Sequence, residues 1–315
     1  MASHVLPFEK RLLELEQSLQ LADSEEARIA LERELSQERE RTFSNLSAWD
    51  RIQLARHPQR PRMLDFTSRL FEEFLELHGD RMDGDDPAMV CGIARFQGRT
   101  VFVAGQQKGV KTEEKVLRNF GMAHPEGYRK AARIFSLAER LGHPVITFVD
   151  TPAAHPGIEA EQRGQGPAIA ENLRLMHGLN TPVLSIVLSE GGSGGALAIA
   201  VADAIVMLEH AVYMICPPER CAEILWRDVN RKEDAASALK VTAQDLLELG
   251  VIDAIVPEGP LGAHRDAEPA VQGLRRAVES FLEQHPAGAK LDLSARSEKF
   301  ARMGRWAEET ALAGD

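Results

Sequence analysis

The run Ser189-Glu190-Gly191-Gly192-Ser193-Gly194-Gly195-Ala196-Leu197 constrains this chain more than any other stretch. An apolar segment, residues 183–188, precedes it, and a run of small residues, 196–208, follows. That order predicts a buried strand, a four-glycine turn and a helix that starts at once. Glycine lets a ligand approach bare backbone, and the first N–H groups of a helix have no internal acceptor. Those donors sit at the positive end of the helix dipole, where an anion or a developing oxyanion is favoured. Gly194 and Gly195 are the candidate donors, with Gly191 and Gly192 shaping the turn. A competing reading is that the glycines only permit close packing. Two phosphate-cradle readings fail on spacing. A dinucleotide fingerprint needs a third glycine where Leu197 stands, and no Lys-Ser/Thr pair follows, as a P-loop requires.

At 315 residues the chain has length for a large buried core, organised as one large domain or two small ones. Its net charge of −11 argues against general nucleic-acid or anionic-membrane binding, which need a basic surface. Residues 1–15 mix charges with leucines, so no signal peptide is visible there. The best membrane-span candidate, residues 183–208, is interrupted by Glu190 and Asp203, and its uncharged part is too short to cross a bilayer. Three cysteines, Cys91, Cys216 and Cys221, without CxxC spacing, fit free thiols in a reducing compartment. The ten histidines form no ligand pair near them, so no metal is expected. The expectation is a cytoplasmic protein.

Organisation along the chain is uneven. Leu12, Leu15 and Leu19, then Ala27, Leu31 and Leu35 after Asp23-Ser24-Glu25-Glu26, predict two amphipathic helices in a hairpin. The segment His57-Pro58-Gln59-Arg60-Pro61-Arg62 breaks regular structure. We therefore divide the chain into a helical hairpin, 1–56, a core, 57–285, and a polar, partly helical tail, 286–315. Within the core, residues 90–96 and 100–105 predict a hairpin across Gln97-Gly98-Arg99. A helix is predicted over residues 125–141, with Ala131, Ile134, Phe135, Ala138 and Leu141 on one face, and a continuous apolar strand over 145–149. Further units follow: a helix near 166–176, strands over 211–215 and 251–256, and a short helix over 245–249. His285-Pro286-Ala287-Gly288 closes the core. Repeated strand–helix units with continuous apolar strands imply an α/β fold with a largely parallel sheet.

Several blocks resemble one family. They are Arg118-Asn119-Phe120-Gly121-Met122 with Pro125-Glu126-Gly127-Tyr128-Arg129-Lys130-Ala131, then Phe148-Val149-Asp150-Thr151-Pro152, the glycine run through Ile199, and Cys221-Ala222-Glu223-Ile224-Leu225-Trp226. Leu54-Ala55-Arg56-His57-Pro58-Gln59-Arg60-Pro61 and Gly262-Ala263-His264-Arg265 extend the match across residues 8–285. Together they resemble the alpha subunit of the bacterial acetyl-CoA carboxylase carboxyltransferase. The resemblance implies a crotonase-type fold of stacked ββα units carrying an N-terminal helical hairpin. It implies transfer of a carboxyl group from carboxybiotin, held on the biotin carboxyl carrier protein, to acetyl-CoA. The product is malonyl-CoA, the committed precursor of fatty acids. It further implies a beta subunit bearing a zinc ribbon, an α2β2 heterotetramer with the active site between subunits, and biotin carboxylase as a further component. This chain lacks the ribbon's cysteines, as an alpha subunit would.

In that setting Gly194 and Gly195 would hold the biotin ureido oxygen that becomes negative when CO2 leaves. No His or Glu base stands out, and the biotin itself would take the proton; packing or surface roles suit His124 and His155 better. Lys108, Lys111, Lys115 and Arg118 are candidates to contact CoA phosphates or the carboxylate of carboxybiotin. A solvated helix face is the other reading of that string. Two departures concern the biotin-facing wall. The family's Gly-Ala-Tyr-Pro-Gly stands here as Ala153-Ala154-His155-Pro156-Gly157, and its Gly-His-Gln-Lys-Gly as Gly105-Gln106-Gln107-Lys108-Gly109. If position 153 needs a positive φ, Ala153 would be strained. Two rivals keep different commitments. A hydratase, isomerase or decarboxylase of the same fold would be active alone on an acyl-CoA. A scaffold would only dock partners through its hairpin.

Overall fold

The computed structural model describes residues 4–286 and 291–304. An eight-stranded sheet forms its frame: β1 (Glu73–Glu76), β2 (Met89–Phe96), β3 (Arg99–Gln106), β4 (Val145–Thr151), β5 (Val183–Gly192), β6 (Ala204–Leu208), β7 (Val212–Met214) and β8 (Ala254–Val256). The order is β1-β2-β3-β4-β5-β6-β8, and β7 pairs with the far end of β5. β1, β2 and β3 run antiparallel, and every pairing from β3 onward is parallel. β4 and β5 lie mid-sheet with every residue buried. Cover on both faces explains why residues 145–149 and 183–188 are apolar almost throughout, without a period of two.

Among the described residues four α-helices precede the sheet: α1 (Lys10–Gln20), α2 (Glu25–Ser44), α3 (Ala48–Ala55) and α4 (Met63–Leu70). The predicted hairpin is α1 and α2. Leu12, Leu15, Leu35 and Phe43 are buried between them, and Arg39–Glu16 and Arg11–Glu34 ion pairs cross the seam. Ser24 caps α2 by accepting from the Ala27 N–H, while the Ala27 side chain stays exposed at the open end. Residues 57–62 hold no helix or strand, as read, yet they are not a solvated linker. His57, Arg60 and Arg62 are buried, and Arg60 donates to Glu258 at 2.6 Å.

The remaining α-helices among the described residues are α5 (Thr112–Leu117), α6 (Pro125–Leu141), α7 (Ile158–Gln162), α8 (Gln165–Gly178), α9 (Ser193–Leu197), α10 (Pro218–Trp226), α11 (Lys232–Ala238), α12 (Ala243–Glu248), α13 (Glu268–Gln284) and α14 (Leu293–Arg302). α6 starts on Pro125 and ends at Gly142, whose φ of 69° is the left-handed stop that glycine provides. Its expected face is buried except for Leu141, which the last turn leaves 53% exposed.

One expectation is corrected here. The helix after the glycines is only α9, and residues 204–208 form β6. Pairing decides it: Ala204 to Met207 lie beside Leu184 to Val187 of β5, which satisfies the backbone of an apolar segment at the centre of the core. The strand expected over 251–256 is likewise shorter, since only Ala254–Val256 pairs with β6. Beyond the core, α14 docks rather than trailing. Arg296 is 1% exposed and donates to Asp203 and to the carbonyls of Met176, Leu179 and Thr181. Ala287-Gly288 of the expected breaker and residues 305–315 of the expected tail lie outside the described residues.

Candidate functional site

The site begins where β4 and β5 end, at the carboxyl edge of the parallel strands, the side on which open α/β sheets place ligands. β5 runs further than its apolar stretch suggests and carries Gly191 and Gly192 into the sheet. Ser193 then turns the chain with a φ of 49°, a left-handed conformation that costs a non-glycine residue about 1–2 kcal/mol. Three of the four glycines have a neighbour that requires them. A Cβ at Gly191 would meet the Tyr213 ring at 2.8 Å, at Gly192 the Pro152 oxygen at 1.8 Å, and at Gly195 the Ala154 nitrogen at 2.5 Å. Close packing therefore accounts for these three. Gly194 is different: it is half-buried, its φ is not left-handed, and the nearest atom to its Cβ would be Ile169 at an ordinary 3.7 Å. Nothing among the described residues requires glycine there. The N–H groups of Gly194 and Gly195 belong to the first turn of α9, where no helical acceptor exists, and no side chain caps that helix among the described residues.

Gln106 holds this turn against the sheet. Its Nε2 donates to the Gly195 carbonyl at 2.9 Å, and its Oε1 accepts from the Asp150 N–H at 3.1 Å. One amide thus ties β3, β4 and α9 together while fully buried.

Beside the turn lies a charged cleft of about 270 Å³, lined by Arg56, Arg62, Lys108, Lys115, Phe120 and Glu190 among others. Lys108 Nζ sits 2.9 Å from Asp150 Oδ1 and 3.2 Å from Glu190 Oε2. Arg56 donates to Glu190 and to Glu219, each at 2.7 Å. Burial pushes the Glu190 carboxyl up, but Lys108 and Arg56 outweigh it and hold the group below the usual carboxylate range. Burial likewise opposes the charge on Lys108, and Asp150 and Glu190 more than restore it. Both groups are charged and already paired, so neither is a free acid or base.

The chain's relatives agree with one another. The family model described as acetyl co-enzyme A carboxylase carboxyltransferase-like matches residues 4–304. The acetyl-coenzyme A carboxylase carboxyl transferase subunit alpha of Geobacter metallireducens is 50% identical over 316 residues, covering 98% of this chain and 99% of that protein. The same subunit from a Thermus thermophilus strain is 48% identical, covering 96% and 97%. The chain belongs to the acetyl-CoA carboxylase carboxyltransferase alpha-subunit family. Solved structures share the fold at lower identity. Transcarboxylase 12S matches with a TM-score of 0.58 at 21% identity, over 73% of this chain and 44% of that one. A Pseudomonas malonate decarboxylase hetero-tetramer matches with a TM-score of 0.55 at 17% identity, over 70% and 89%. The crotonase-type fold expected from the resemblance is thereby shown.

Set against the carboxyltransferase family pattern, the two departures resolve structurally. Ala153 does not have a positive φ, so the alanine imposes no backbone strain. Its carbonyl accepts from Thr151 Oγ1 at 2.6 Å, and its backbone and that of Ala154 form the wall against Gly195. Gln106, in the place of the family's histidine, makes the tie described above. His155 stacks on His124 with ring centroids 3.9 Å apart. The basic string separates. Lys108 and Lys115 line the cleft, Lys111 is exposed at the start of α5, and Arg118 pairs with Glu114 and the Pro87 carbonyl. Tyr128 is buried, Arg129 pairs with Asp80, and Lys130 pairs with Asp85, so all three serve packing and ion pairing.

Among the described residues two clusters have ligand atoms close enough for a metal ion, Glu9–His57–His264 and His124–His155–Glu159. In each, a histidine Nδ1 already accepts a backbone N–H, from Gln59 at His57 and from Gly157 at His155. The other nitrogen of those neutral rings then carries a proton, which opposes metal ligation. Glu9 is also committed, to Arg265 at 2.8 Å.

Sequence reading missed Arg56, Glu190 and Gln106 as a charge and hydrogen-bond framework. Their partners lie 134 and 89 residues away in the chain, for Arg56–Glu190 and Gln106–Gly195, so no local pattern could show them.

Proposed function

We propose that this chain is the alpha component of an acetyl-CoA carboxylase carboxyltransferase, active only with its beta subunit. The reaction moves a carboxyl group from carboxybiotin on the biotin carboxyl carrier protein to acetyl-CoA and yields malonyl-CoA. The carrier's biotin is a substrate delivered by a partner, and the reading needs no metal in this chain. The work would be done in the cytoplasm, by an α2β2 heterotetramer supplied by biotin carboxylase.

The observation that carries the reading is Gly194: bare backbone with no packing reason for it, beside N–H groups with no helical acceptor. When CO2 leaves, negative charge develops on the ureido oxygen, and the Gly194 and Gly195 N–H groups would donate to it. Removing one such donor typically costs about 2.7–4 kcal/mol of barrier. The loop 152–154 and Gln106 hold those donors in place, so little reorganisation accompanies the charge. Lys115 supplies positive charge along the adjacent cleft, which suits a carboxylate or phosphate in passage, while Lys108 stays paired with Asp150 and Glu190 at its floor. His155 and Ala153 belong to the loop that walls the turn, where Ala153 acts through its backbone.

The test is malonyl-CoA formation from acetyl-CoA and carboxybiotin, first with this chain alone and then with the beta subunit added. Turnover only in the mixture supports the reading. Turnover of an acyl-CoA by the chain alone overturns it in favour of a self-sufficient enzyme of the same fold.

A further inference from the structure

The chain leaves β7 as Ile215-Cys216-Pro217 and enters α10 at Pro218. This corner carries two thiols that the carboxyl transfer does not use. Cys216 is half-buried and Cys221 is 7% exposed, five residues further on. They meet in one small cluster with Ala222, Ala235 and Trp226. Pro217 and Pro218 fix two successive φ angles, and the Cys221 N–H donates to the Pro217 carbonyl at 3.0 Å, so the corner is preset.

The same corner reaches the cleft. Glu219 lies between the two cysteines and accepts from Arg56 at 2.7 Å, and Arg56 in turn donates to Glu190 at 2.7 Å. β7 itself pairs with Glu190, Gly191 and Gly192. Movement at the thiols is therefore one side chain from the cleft's ion pairs and one strand from the glycine turn.

We propose that Cys216 and Cys221 are a thiol-oxidation site, closed to an intrachain disulfide by a small-molecule disulfide, which draws the first turn of α10 inward and pulls Glu219 off Arg56. The chemistry balances in two exchanges. The Cys216 thiolate attacks one sulfur of the small disulfide, whose S–S bond breaks, and the leaving thiolate takes a proton. Cys221 then loses its proton and attacks the Cys216 sulfur, expelling the second small thiolate, which is protonated in turn. Two protein thiols are oxidised and one small disulfide is reduced to two thiols. Two sulfurs must close to about 2.05 Å to bond, well inside any non-bonded contact, so the corner has to contract. Cys91 does not compete: it is fully buried within β2, whereas Cys216 is only half-buried.

The probe is oxidised glutathione, applied to the full chain and to its complex with the beta subunit. Arg220 lies between the cysteines, so trypsin separates a peptide ending at Arg220 from the peptide 221–227. The expected result is that these two peptides are recovered joined, lighter than their sum by two hydrogens, and that dithiothreitol parts them. Carboxyltransferase activity of the complex should fall in proportion to the joined fraction and return on reduction. Cys216→Ser should keep full activity before and after treatment. A stable glutathione adduct on Cys216 with no joined peptides overturns the proposal, as does full activity in fully joined protein. The joined peptides are read without any assay of the chain's reaction, so failure here is distinct from failure of the functional reading.

Discussion

Gly194 and Gly195 are neighbours with opposite structural roles, and substitution should separate them. At Gly194 an added methyl meets only ordinary contact with Ile169, so Gly194→Ala should leave stability within about 0.5 kcal/mol of the parent. Activity with the beta subunit should nevertheless fall by roughly 10²–10³, because the methyl occupies the approach to the N–H donors. Thermal melting and the malonyl-CoA assay, run side by side, read the two effects. At Gly195 the methyl would stand 2.5 Å from the Ala154 backbone nitrogen, which cannot step aside as a side chain tip could. Gly195→Ala should therefore destabilise by about 1–3 kcal/mol in urea melts, with activity falling as well. Equal stability of the two variants would remove the case that Gly194 is kept open for a ligand.

At the scale of elements, α14 is an anchored strut. Its one buried charge, Arg296, satisfies Asp203 and three carbonyls at the ends of α8 and the following loop. Arg296→Ala would strand those acceptors, at a cost of about 3–5 kcal/mol in equilibrium unfolding, the range for breaking a buried pair. A loss below about 1 kcal/mol would mean that water replaces the guanidinium freely. The N-terminal hairpin is held by a similar device. Glu9 is 1% exposed, accepts from His264 and Arg265 of the core, and also from the Leu6 N–H. Two terminal segments of ordinary composition are thus fixed by single buried ions whose partners come from distant parts of the chain.

Across the whole molecule, acidification should act in two stages. Burial lowers His210 from 6.5 to about 4, so between those values the unfolded chain takes up a proton that the folded one refuses. Stability from this group is complete above pH 6.5 and declines as pH falls towards 4. Glu258 follows: burial raises its pKa, Arg60 outweighs burial, and the net value falls from 4.5 to about 2. Its contribution is complete above pH 4.5 and is lost on approach to pH 2. Melting temperature measured against pH should therefore begin to fall below 6.5 and steepen below 4.5. His210→Gln should flatten the first limb, and an unchanged first limb would show that another group titrates there.

Local signals in the sequence were enough for the helical hairpin, the β2–β3 hairpin, α6 and the α/β class. In each the pattern of apolar residues, with Ser24 and Pro125 as starts of α2 and α6, acts within a few residues along the chain. The glycine run marked the candidate site for the same reason, because an approach to bare backbone is written in adjacent positions. What the chain does with residues 196–208 was not legible. Alanines and β-branched residues suit helix or strand, and only the neighbouring β5, once in place, offers the pairing that makes β6. The cleft was hidden for a further reason. Lys108 looks like one member of a basic string, and becomes the centre of an ion-pair network when Asp150, Glu190 and Arg56 arrive from other elements. Periodicity and turn chemistry are short-range and belong to the sequence; burial and charge pairing are long-range, and only the tertiary structure decided them.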